Sequence, residues 1–387
     1  MKRSFSFGSL SPPRSPMLLV VAGTALIAAT YGLIRLAYGL YLPEMRAALG
    51  FGDLEAGVVA AGASVMYCVG AVAAFLTGAR TPRALTIAAG ATAGVGAVGM
   101  SLAGSFPLFA AAAVLSSAGA GLASPALVEI LDRTVTGPGR SRAQTIVNAG
   151  TGPGLVAAGI LALTLLPDWR AAWAVSAVVA LVAAVSVAML ARGPGDLPTA
   201  RRIAPPRGWI GAHRRVSVAA AAMGAGSAAM WNYGRTLLVS AGVEEATTVL
   251  AWVALGIGGS AAILTARWMT ALHPRTAWAL ATSAAAIGTV ALVAAPTGTL
   301  AALASCAVFG WGYTAATGAL IGWTGVIDPT RAATGTALLF VVLILGQALG
   351  AAAVGALMDA VGPVAAFLAA AAGLAGAAAA ALVAKAR

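Results

Sequence analysis

The sequence predicts an all-α membrane protein in which twelve transmembrane helices form two pseudo-symmetric six-helix bundles. The chain of 387 residues is 60% apolar and only 9% charged, and its mean hydropathy is +0.93, whereas soluble domains average about 25% charged residues. The few charges cluster between apolar runs that are long enough to cross a bilayer. The sequence lacks the alternating strand pattern that is typical of an outer-membrane barrel.

The apolar runs define twelve helices, numbered here in chain order as helix 1 to helix 12. Helix 1 follows the basic segment MKRSFSFGSL, but its apolar run exceeds the ~7 to 15 residues of a signal peptide and lacks a small-residue cleavage site. We therefore expect helix 1 to be a retained membrane anchor. The predicted ranges are 17–41, 54–77, 84–104, 107–130, 142–165, 169–191, 216–240, 246–266, 276–296, 299–323, 332–357 and 362–384.

The basic residues orient these helices. With the N-terminus inside, every Lys and Arg except Arg35, Arg46, Arg170 and Arg235 lies on the cytoplasmic side, as the positive-inside rule requires. We therefore expect a multi-pass protein of the bacterial cytoplasmic membrane with both termini in the cytoplasm. The net charge of +12 follows from this topology and also favours some attraction to anionic lipid. Nucleic-acid binding is the less favoured explanation of this charge.

A long polar segment divides the chain into two halves. Residues 192–215, RGPGDLPTARRIAPPRGWIGAHRR, are rich in Pro, Gly and Arg, a composition that is typical of a linker. They are predicted to connect, in the cytoplasm, an N-terminal six-helix bundle at residues 1–191 with a C-terminal six-helix bundle at residues 216–387.

The two halves resemble a weak internal repeat. Arg83, in the loop after helix 2, and Arg275, in the loop after helix 8, both follow a proline and are 192 positions apart. Asp53 and Glu245 are also 192 positions apart. Two parallel six-helix repeats joined by an inside loop are the plan of a secondary transporter whose binding site lies between the halves.

Several motifs resemble the Major Facilitator Superfamily over essentially the whole chain. They are YGLIRLAYGLYLP in helix 1, MYCVGA in helix 2, TPR after helix 2, GTGPG in helix 5 and WRAAW in helix 6. The chain looks most like the YbfB/YjiJ-like bacterial group. The resemblance implies a fold in which helices 1, 4, 7 and 10 line a central cavity. The loop TGARTPRAL lacks the aspartate of the superfamily's G-x-x-x-D-R-x-G-R motif, and helix 4 has no arginine in its middle. The resemblance therefore does not imply the gating charge relay or the proton relay that depends on those residues.

Two arginines, Arg35 in helix 1 and Arg235 in helix 7, interrupt otherwise uncharged stretches. Each lies nine residues before an acid predicted to be outside, Glu44 or Glu244, and a rise of 1.5 Å per residue places each roughly 13 Å below the outer boundary. Since no acid is predicted at that depth, we expect both guanidiniums to lack a carboxylate partner and to hold a ligand. Backbone carbonyls, tyrosine hydroxyls and water are the alternative partners.

Aromatic and polar residues beside the arginines complete the candidate site. A guanidinium can take a carboxylate or phosphate bidentately, and aromatic rings can wall an apolar body. Organophosphate antiporters of the superfamily are similar in placing one arginine on helix 1 and one on helix 7, which implies an anionic substrate. The predicted substrate-binding residues are Arg35, Arg235, Tyr31, Tyr38, Trp231, Asn232, Trp311, Tyr313 and Thr317.

Four further charged residues are predicted to take part in gating. Glu129 and Arg133 are one helical turn apart at the inner end of helix 4, where they could form part of an inner gate or an ordinary boundary ion pair. Arg83 and Arg275, in equivalent loops, complete this set.

Helix 5 contains the segment NAGTGPGLVAAG, which resembles the Gly-Pro motif of superfamily exporters. We expect Gly152 and Pro153 to mark a bend, and the motif favours export. Asn148 in helix 5 and Gln347 in helix 11 are predicted to hydrogen-bond across helices, with contact to the cavity as the alternative.

These features do not predict an enzyme. Both histidines lie in predicted cytoplasmic loops, and no metal motif or paired intramembrane acid is present in the sequence. Cys68 and Cys306 lie within predicted helices, which does not indicate a disulfide or a metal site. We expect no cofactor, no nucleic-acid partner and a monomer in the lipid bilayer.

The predicted function is secondary active transport of a small organic anion, a carboxylate, sulfonate or phosphate, across the cytoplasmic membrane by alternating access. Exchange of one anion for another by an antiporter, or facilitated movement, is favoured slightly over proton symport. One alternative is a proton-coupled exporter of hydrophobic drugs or metabolites, which generally needs a titratable acid in its cavity, a role that an arginine cannot fill. A second alternative is a receptor that binds a ligand in the same cavity without moving it.

Overall fold

The computed structural model describes residues 16–77, 80–135, 139–191 and 206–382. Within these residues, eleven helices are long and apolar enough to cross a membrane. Trp209–Ser240, a helix of 32 residues, is the twelfth, and its apolar run is interrupted by Asn232, Tyr233 and Arg235. The prediction of twelve transmembrane helices in an all-α fold is confirmed.

The twelve helices have the following bounds. Helix 1 consists of three consecutive segments, Pro16–Ile27, Ala28–Leu36 and Tyr38–Leu49. Helix 5 consists of two, Gly139–Asn148 and Thr151–Leu165. The others are Asp53–Thr77, Pro82–Leu102, Phe106–Thr134, Trp169–Leu190, Trp209–Ser240, Glu245–Ala271, Pro274–Ala294, Thr299–Ile327, Ala332–Val361 and Pro363–Leu382, which are helices 2, 3, 4, 6, 7, 8, 9, 10, 11 and 12.

Helix 1 differs from its predicted form in two ways. It continues to Leu49 rather than ending at residue 41, because Pro43, although it removes one backbone donor, lies inside the last segment without ending it. The middle segment, Ala28–Leu36, is π-helical. Its wider turns are rare and are often found at functional sites, and this segment carries Tyr31 and Arg35.

Helix 7 begins at Trp209, so the last seven residues of the predicted linker, 209–215, are helical. Residues 192–205 of that linker lie outside the described residues. The exact boundaries of the two bundles remain a prediction.

Helix 5 is interrupted near the predicted bend. Pro153 has no backbone N–H to donate to the Ala149 carbonyl, and the chain turns between Asn148 and Thr151. In that turn the Gly150 N–H bonds the Val147 carbonyl at 3.1 Å. The second segment of helix 5 therefore starts at Thr151, just before the proline.

Helix packing repeats between the halves. Helix 4 packs on helices 2 and 3, helix 6 on helices 1 and 3, and helix 5 on helix 1, and the same pairs recur six helices later in the chain. Between the halves, helix 2 packs on helix 11, helix 5 on helix 8 and helix 1 on helix 7. Two pseudo-symmetric six-helix bundles therefore face each other, as the sequence predicts.

Glycines bring helices 1 and 5 into backbone contact. A Cβ atom on Gly32 would lie 2.4 Å from the Gly154 carbonyl carbon, and one on Gly154 would lie 2.3 Å from the Ala28 carbonyl oxygen. Small residues permit such close approach between membrane helices. This contact holds helix 5 against the π-helical segment.

Candidate functional site

Arg35 extends from helix 1 into the contact between the two halves. Its Nη2 donates a hydrogen bond of 2.8 Å to Oε1 of Gln347 on helix 11, and its Cζ lies 4.8 Å from the centre of the Tyr67 ring. Its Nε is buried without a hydrogen-bond partner. Among the described residues, no carboxylate lies within ion-pair distance of Arg35, so its charge is balanced only by neutral groups.

Tyr67, whose ring lies against the Arg35 guanidinium, pairs with Tyr31. The hydroxyls of Tyr31 and Tyr67 are 3.0 Å apart, and their rings meet edge to face at 5.9 Å. Tyr67 was not predicted as a site residue, because the cavity was expected to be lined by helices 1, 4, 7 and 10, whereas Tyr67 lies on helix 2. The chain has only six tyrosines, so a tyrosine in the middle of an apolar helix was an available signal.

Arg235 has an acidic partner, and the prediction that it lacks one was wrong. Its Nη1 lies 2.6 Å from Oε2 of Glu44 and donates to the Leu40 carbonyl at 2.7 Å. Its Nε donates to the Thr248 hydroxyl at 3.0 Å. Because Glu44 and Leu40 belong to helix 1, these contacts tie helix 7 to the other half of the molecule.

The error arose from the depth assigned to Glu44. Helix 1 continues past this residue, so Glu44 stays on the helix instead of lying in an outside loop. The two arginines are also at different heights, because a Cβ atom on Gly39 would lie 2.1 Å from the Trp231 carbonyl, which sets these two residues level. Arg35 precedes Gly39 by one turn and Arg235 follows Trp231 by one turn, so about two turns separate the Cα atoms of the two arginines.

A small cavity of about 30 Å³ lies between the halves beside Arg35. Tyr38 donates its hydroxyl to the Ala56 carbonyl at 3.1 Å, and the Asn232 side-chain amide donates to the Ala228 carbonyl at 2.9 Å, so both side chains are held in place. The cavity is lined by Arg35 and Tyr38 of helix 1, Ser64 of helix 2, Trp231 and Asn232 of helix 7, and Gln347 of helix 11.

Aromatic rings surround Trp231 on the side of the second half. Its ring lies 5.1 Å from that of Tyr313 and 5.7 Å from that of Phe309, both edge to face. The indole Nε1 of Trp231 is buried and has no hydrogen-bond partner. The structure therefore brings Trp231 and Tyr313 together, as the predicted site requires.

Two predicted site residues lie elsewhere. Trp311 donates its indole N–H to the Thr265 hydroxyl on helix 8 at 2.9 Å, and Thr317 donates its hydroxyl to the Thr314 carbonyl in its own helix at 2.7 Å. Neither residue lines the cavity beside Arg35. Their placement on helix 10 was right, but the faces they occupy could not be read from spacing alone.

The contacts described for the predicted gating residues lie within single halves. Arg133 Nη2 lies 2.7 Å from Glu129 Oε1 in helix 4. Arg83 Nε donates to the Ala188 carbonyl of helix 6 at 3.1 Å, and Arg275 Cζ lies 5.7 Å from the centre of a Trp323 ring. These contacts fit boundary anchoring, and a gating role for these residues stays a prediction.

Polar contacts join the two halves at the ends predicted to face outside. The Tyr233 hydroxyl donates to the Asp53 carbonyl at 2.7 Å, and the Leu54 N–H donates to the Asp359 carboxylate at 3.0 Å. We use the term "outer seam" for these contacts between the halves, which join Leu40, Glu44, Asp53 and Leu54 of the first half to Tyr233, Arg235 and Asp359 of the second. In this structure the outer ends of the two halves are closed against each other.

The sequence model of the Major Facilitator Superfamily matches residues 24–327. No curated protein sequence matches the chain. Similar solved structures include a mutant of the nucleoside transporter NupG, at 11% identity over 94% of this chain and 99% of that one, with a TM-score of 0.78. A POT family transporter in complex with 5-aminolevulinic acid is similar at 10% identity over 96% of both chains, with a TM-score of 0.77.

A bacterial homologue of the human lysosomal transporter Spinster, inward-facing and unoccupied, is similar at 15% identity over 96% of this chain and 95% of that one, with a TM-score of 0.69. Identities this low establish a common fold only, and the narrower resemblance to the YbfB/YjiJ-like group stays a prediction. On the match over residues 24–327 and the twelve-helix fold, the chain belongs to the Major Facilitator Superfamily and is a membrane transporter, not an enzyme.

Proposed function

We propose that this transporter moves a small organic anion and that Arg35 binds the anionic group of the substrate. The observation that carries the proposal is the environment of Arg35. A charged side chain near the middle of the membrane costs at least about 2.5 kcal/mol, yet its described partners are the neutral amide of Gln347 and the ring of Tyr67. The guanidinium therefore keeps an uncompensated positive charge that an anion can neutralise.

The position of Arg35 suits alternating access. Arg35 belongs to the first half, whereas Gln347 and Trp231, which line the same cavity, belong to the second. A ligand in this place contacts both halves at once, so its binding energy depends on how the halves are arranged. Only a ligand with such differential contacts can shift a conformational equilibrium.

The rings beside the cavity favour an anion with an apolar or aromatic body. Trp231 and Tyr313 offer an edge-to-face pair of rings at 5.1 Å, and binding sites for small molecules are mostly apolar with a few placed polar groups. Arg235 is assigned to the outer seam rather than to the substrate, because Glu44 already neutralises it.

We propose exchange of one anion for another as the mode of transport. Arg35 cannot release a proton, and the residues that line its cavity include no acid. Helix 5 is interrupted just before Gly152 and Pro153, and this segment resembles the motif of exporters, which favours efflux as the direction. Substrate exchange across a monomer in the lipid bilayer needs no cofactor.

A proton-coupled exporter of hydrophobic compounds is the second candidate, and one observation favours it. Glu44 lies between the halves in contact with Arg235, so the interface of the halves does contain a carboxylic acid, the kind of group that proton coupling needs. In that case the Arg35 cavity would serve conformational change rather than anion recognition.

A thermal-shift panel separates the two candidates. Purified protein is tested against organic anions and cationic drugs, in the wild type and in Arg35→Gln. A ligand at ~100 Kd raises the free energy of unfolding by about 2.7 kcal/mol, and we expect anions to do so in the wild type and to do much less in Arg35→Gln.

Arg170→Gln is the matched control. Arg170 is also held by neutral groups, the Ala103 carbonyl at 2.9 Å and the Trp169 ring at 4.1 Å, but it lies outside the cavity. We expect this variant to respond to anions as the wild type does. Stabilisation by cationic drugs alone, equal in the wild type and Arg35→Gln, would reject the anion proposal and favour the proton-coupled exporter.

A further inference from the structure

Two of the residues that line the cavity beside Arg35 carry a buried nitrogen donor that lacks an acceptor. Arg35 Nε and Trp231 Nε1 are both buried without hydrogen-bond partners, and both residues line the cavity. A buried donor left unpaired carries the full cost of its desolvation. A group that brings acceptor oxygens to this place would remove that cost at two positions together.

An unpaired indole N–H is not a site by itself. Trp173 in the first half also has a buried Nε1 without a partner, but it packs against Tyr41 at 5.3 Å and does not line the cavity. What distinguishes Trp231 is that it lines the same cavity as a cationic side chain, Arg35. Trp231 is 5% exposed, so the ring itself is fixed by its neighbours.

The size and donor arrangement of the cavity restrict the head group. A volume of about 30 Å³ holds about two water molecules. The two oxygens of a planar carboxylate can take the places of two waters, whereas a tetrahedral sulfonate or phosphonate brings a third oxygen outside that plane. The guanidinium of Arg35 is also constrained, because Gln347 occupies its Nη2 at 2.8 Å and the Tyr67 ring covers one of its faces.

We propose that this cavity is the subsite for a carboxylate head group, received by Arg35 and by the Trp231 indole N–H, so that the substrate is a carboxylate rather than a sulfonate or a phosphate. This inference rests on the proposed function and narrows its substrate class. The two donors come from different halves, helix 1 and helix 7. The carboxylate therefore links the halves at the level of the cavity, inward of the outer seam.

Three acids with the same phenyl body test the inference. Benzoate, benzenesulfonate and phenylphosphonate are titrated against the purified wild-type protein, with binding read by thermal shift and calorimetry. We expect the Kd of benzoate to be at least about tenfold lower than that of either other acid. Phenylphosphonate carries more negative charge than benzoate near neutral pH. If charge alone determined affinity, phenylphosphonate would therefore bind more tightly than benzoate.

Two tryptophan variants test the indole donor. Trp231→Phe keeps an aromatic ring and removes the N–H, and we expect it to weaken benzoate binding about tenfold, the effect of losing one hydrogen bond to a charged group. Trp173→Phe removes an equally buried, unpaired N–H away from the cavity, so it should leave the benzoate Kd unchanged even where it lowers the melting temperature.

The possible failures are distinct. If all three acids bind alike and Arg35→Gln abolishes the binding of each, the proposed function stands and the carboxylate assignment is wrong. An unchanged benzoate Kd in Trp231→Phe, or equal losses in both tryptophan variants, would also overturn the assignment. If no acid of the three binds, the proposed function and this inference fail together.

Discussion

Arg235 and Glu44 form a largely buried ion pair between helix 7 and helix 1, with side chains that are 1% and 15% exposed. Removing one partner of a buried pair costs about 3–5 kcal/mol, because the remaining charge is left buried without compensation, whereas replacing both partners is much milder. We therefore expect Glu44→Gln and Arg235→Gln each to lower the thermal stability strongly, and the double variant to recover part of that loss.

A double-mutant cycle of thermal unfolding measures this coupling. Arg46→Gln combined with Arg235→Gln is a suitable control, because Arg46 pairs with Asp53 and does not share the Glu44 contact. Additive losses for Glu44 and Arg235 would show that the two side chains do not stabilise each other directly.

At the scale of residues, the sequence indicated which side chains are unusual but not which of them meet. An arginine in a long uncharged run is conspicuous, so Arg35 and Arg235 could be identified. The partners could not, because Glu44 and Arg235 are 191 positions apart and meet only through the crossing of two helices. Gln347 was predicted to hydrogen-bond across helices, and it does so with Arg35.

At the scale of helices, the contact between helix 1 and helix 7 depends on Gly39. A Cβ atom there would lie 2.1 Å from the Trp231 carbonyl, a distance that backbone atoms can relieve only by separating the helices. We expect Gly39→Ala to hinder closure of the outer seam and to favour the arrangement that is open to the outside.

Cys68 provides a native reporter for this change. It is 6% exposed, and its Sγ lies 3.7 Å from the Val341 carbonyl across the two halves. In a Cys306→Ser background in intact cells, a membrane-impermeant maleimide should label Cys68 faster in Gly39→Ala than in the parent. Gly234→Ala, at a helix 7 glycine with open space around it, should not change the rate. Equal rates in all three proteins would contradict the role of Gly39.

The start of helix 7 is attached to the connection between helices 10 and 11 through Asp328. The Thr330 hydroxyl donates to Asp328 Oδ1 at 2.6 Å and the Trp209 indole N–H to Oδ2 at 3.0 Å. The bond from Thr330, then those from Arg331 and Trp209, lower the pKa of Asp328 from 3.8 to about 2.

Because the folded-state pKa of Asp328 lies below the unfolded value, the ionised carboxylate stabilises the fold above about pH 4, and this contribution is lost as the pH falls through about 2. Asp328→Asn should therefore lower the melting temperature at pH 7, and the difference from the wild type should shrink below pH 4. A difference that stays constant down to pH 2 would assign the effect to packing rather than to ionisation.

Helix positions were predictable because hydropathy and charge mark where each helix enters and leaves the membrane. Helices 2, 3, 6, 9 and 12 agree closely with their predicted ranges. The sequence failed where a helix continues beyond its apolar run, as at Leu49 and Trp209, and where it changes its winding, as in Ala28–Leu36. Such features depend on neighbouring helices that satisfy the backbone and on glycine contacts that only the assembled fold reveals.

At the scale of the whole molecule, the most extensive contacts between the described parts of the two halves are those of three helix pairs, and the outer seam lies at a different level from the Arg35 cavity. The architecture could be predicted from the number of apolar runs in the sequence and from the resemblance to the superfamily. The central site followed only in part, because Tyr67 and Gln347 come from helices 2 and 11, which were not assigned to the cavity. A site between two halves is set by their relative placement, which no single helix encodes.

Alternating access requires the outer seam to open in each transport cycle. Leu54 and Asp359 lie on opposite sides of it, with the Leu54 N–H 3.0 Å from the Asp359 carboxylate, so cysteines at these two positions can be joined by a short thiol crosslinker. In proteoliposomes, we expect crosslinking to abolish flux of the anion identified by thermal shift.

The matched control joins two points of one half. Cysteines at Ala103 and Arg170, whose side chain contacts the Ala103 carbonyl at 2.9 Å, link the end of helix 3 to the start of helix 6. Because these helices belong to the same half, crosslinking them should leave most of the flux intact. Full flux after crosslinking Leu54→Cys to Asp359→Cys would mean that the outer seam does not open during transport, and that substrate crosses by a channel or through another moving part.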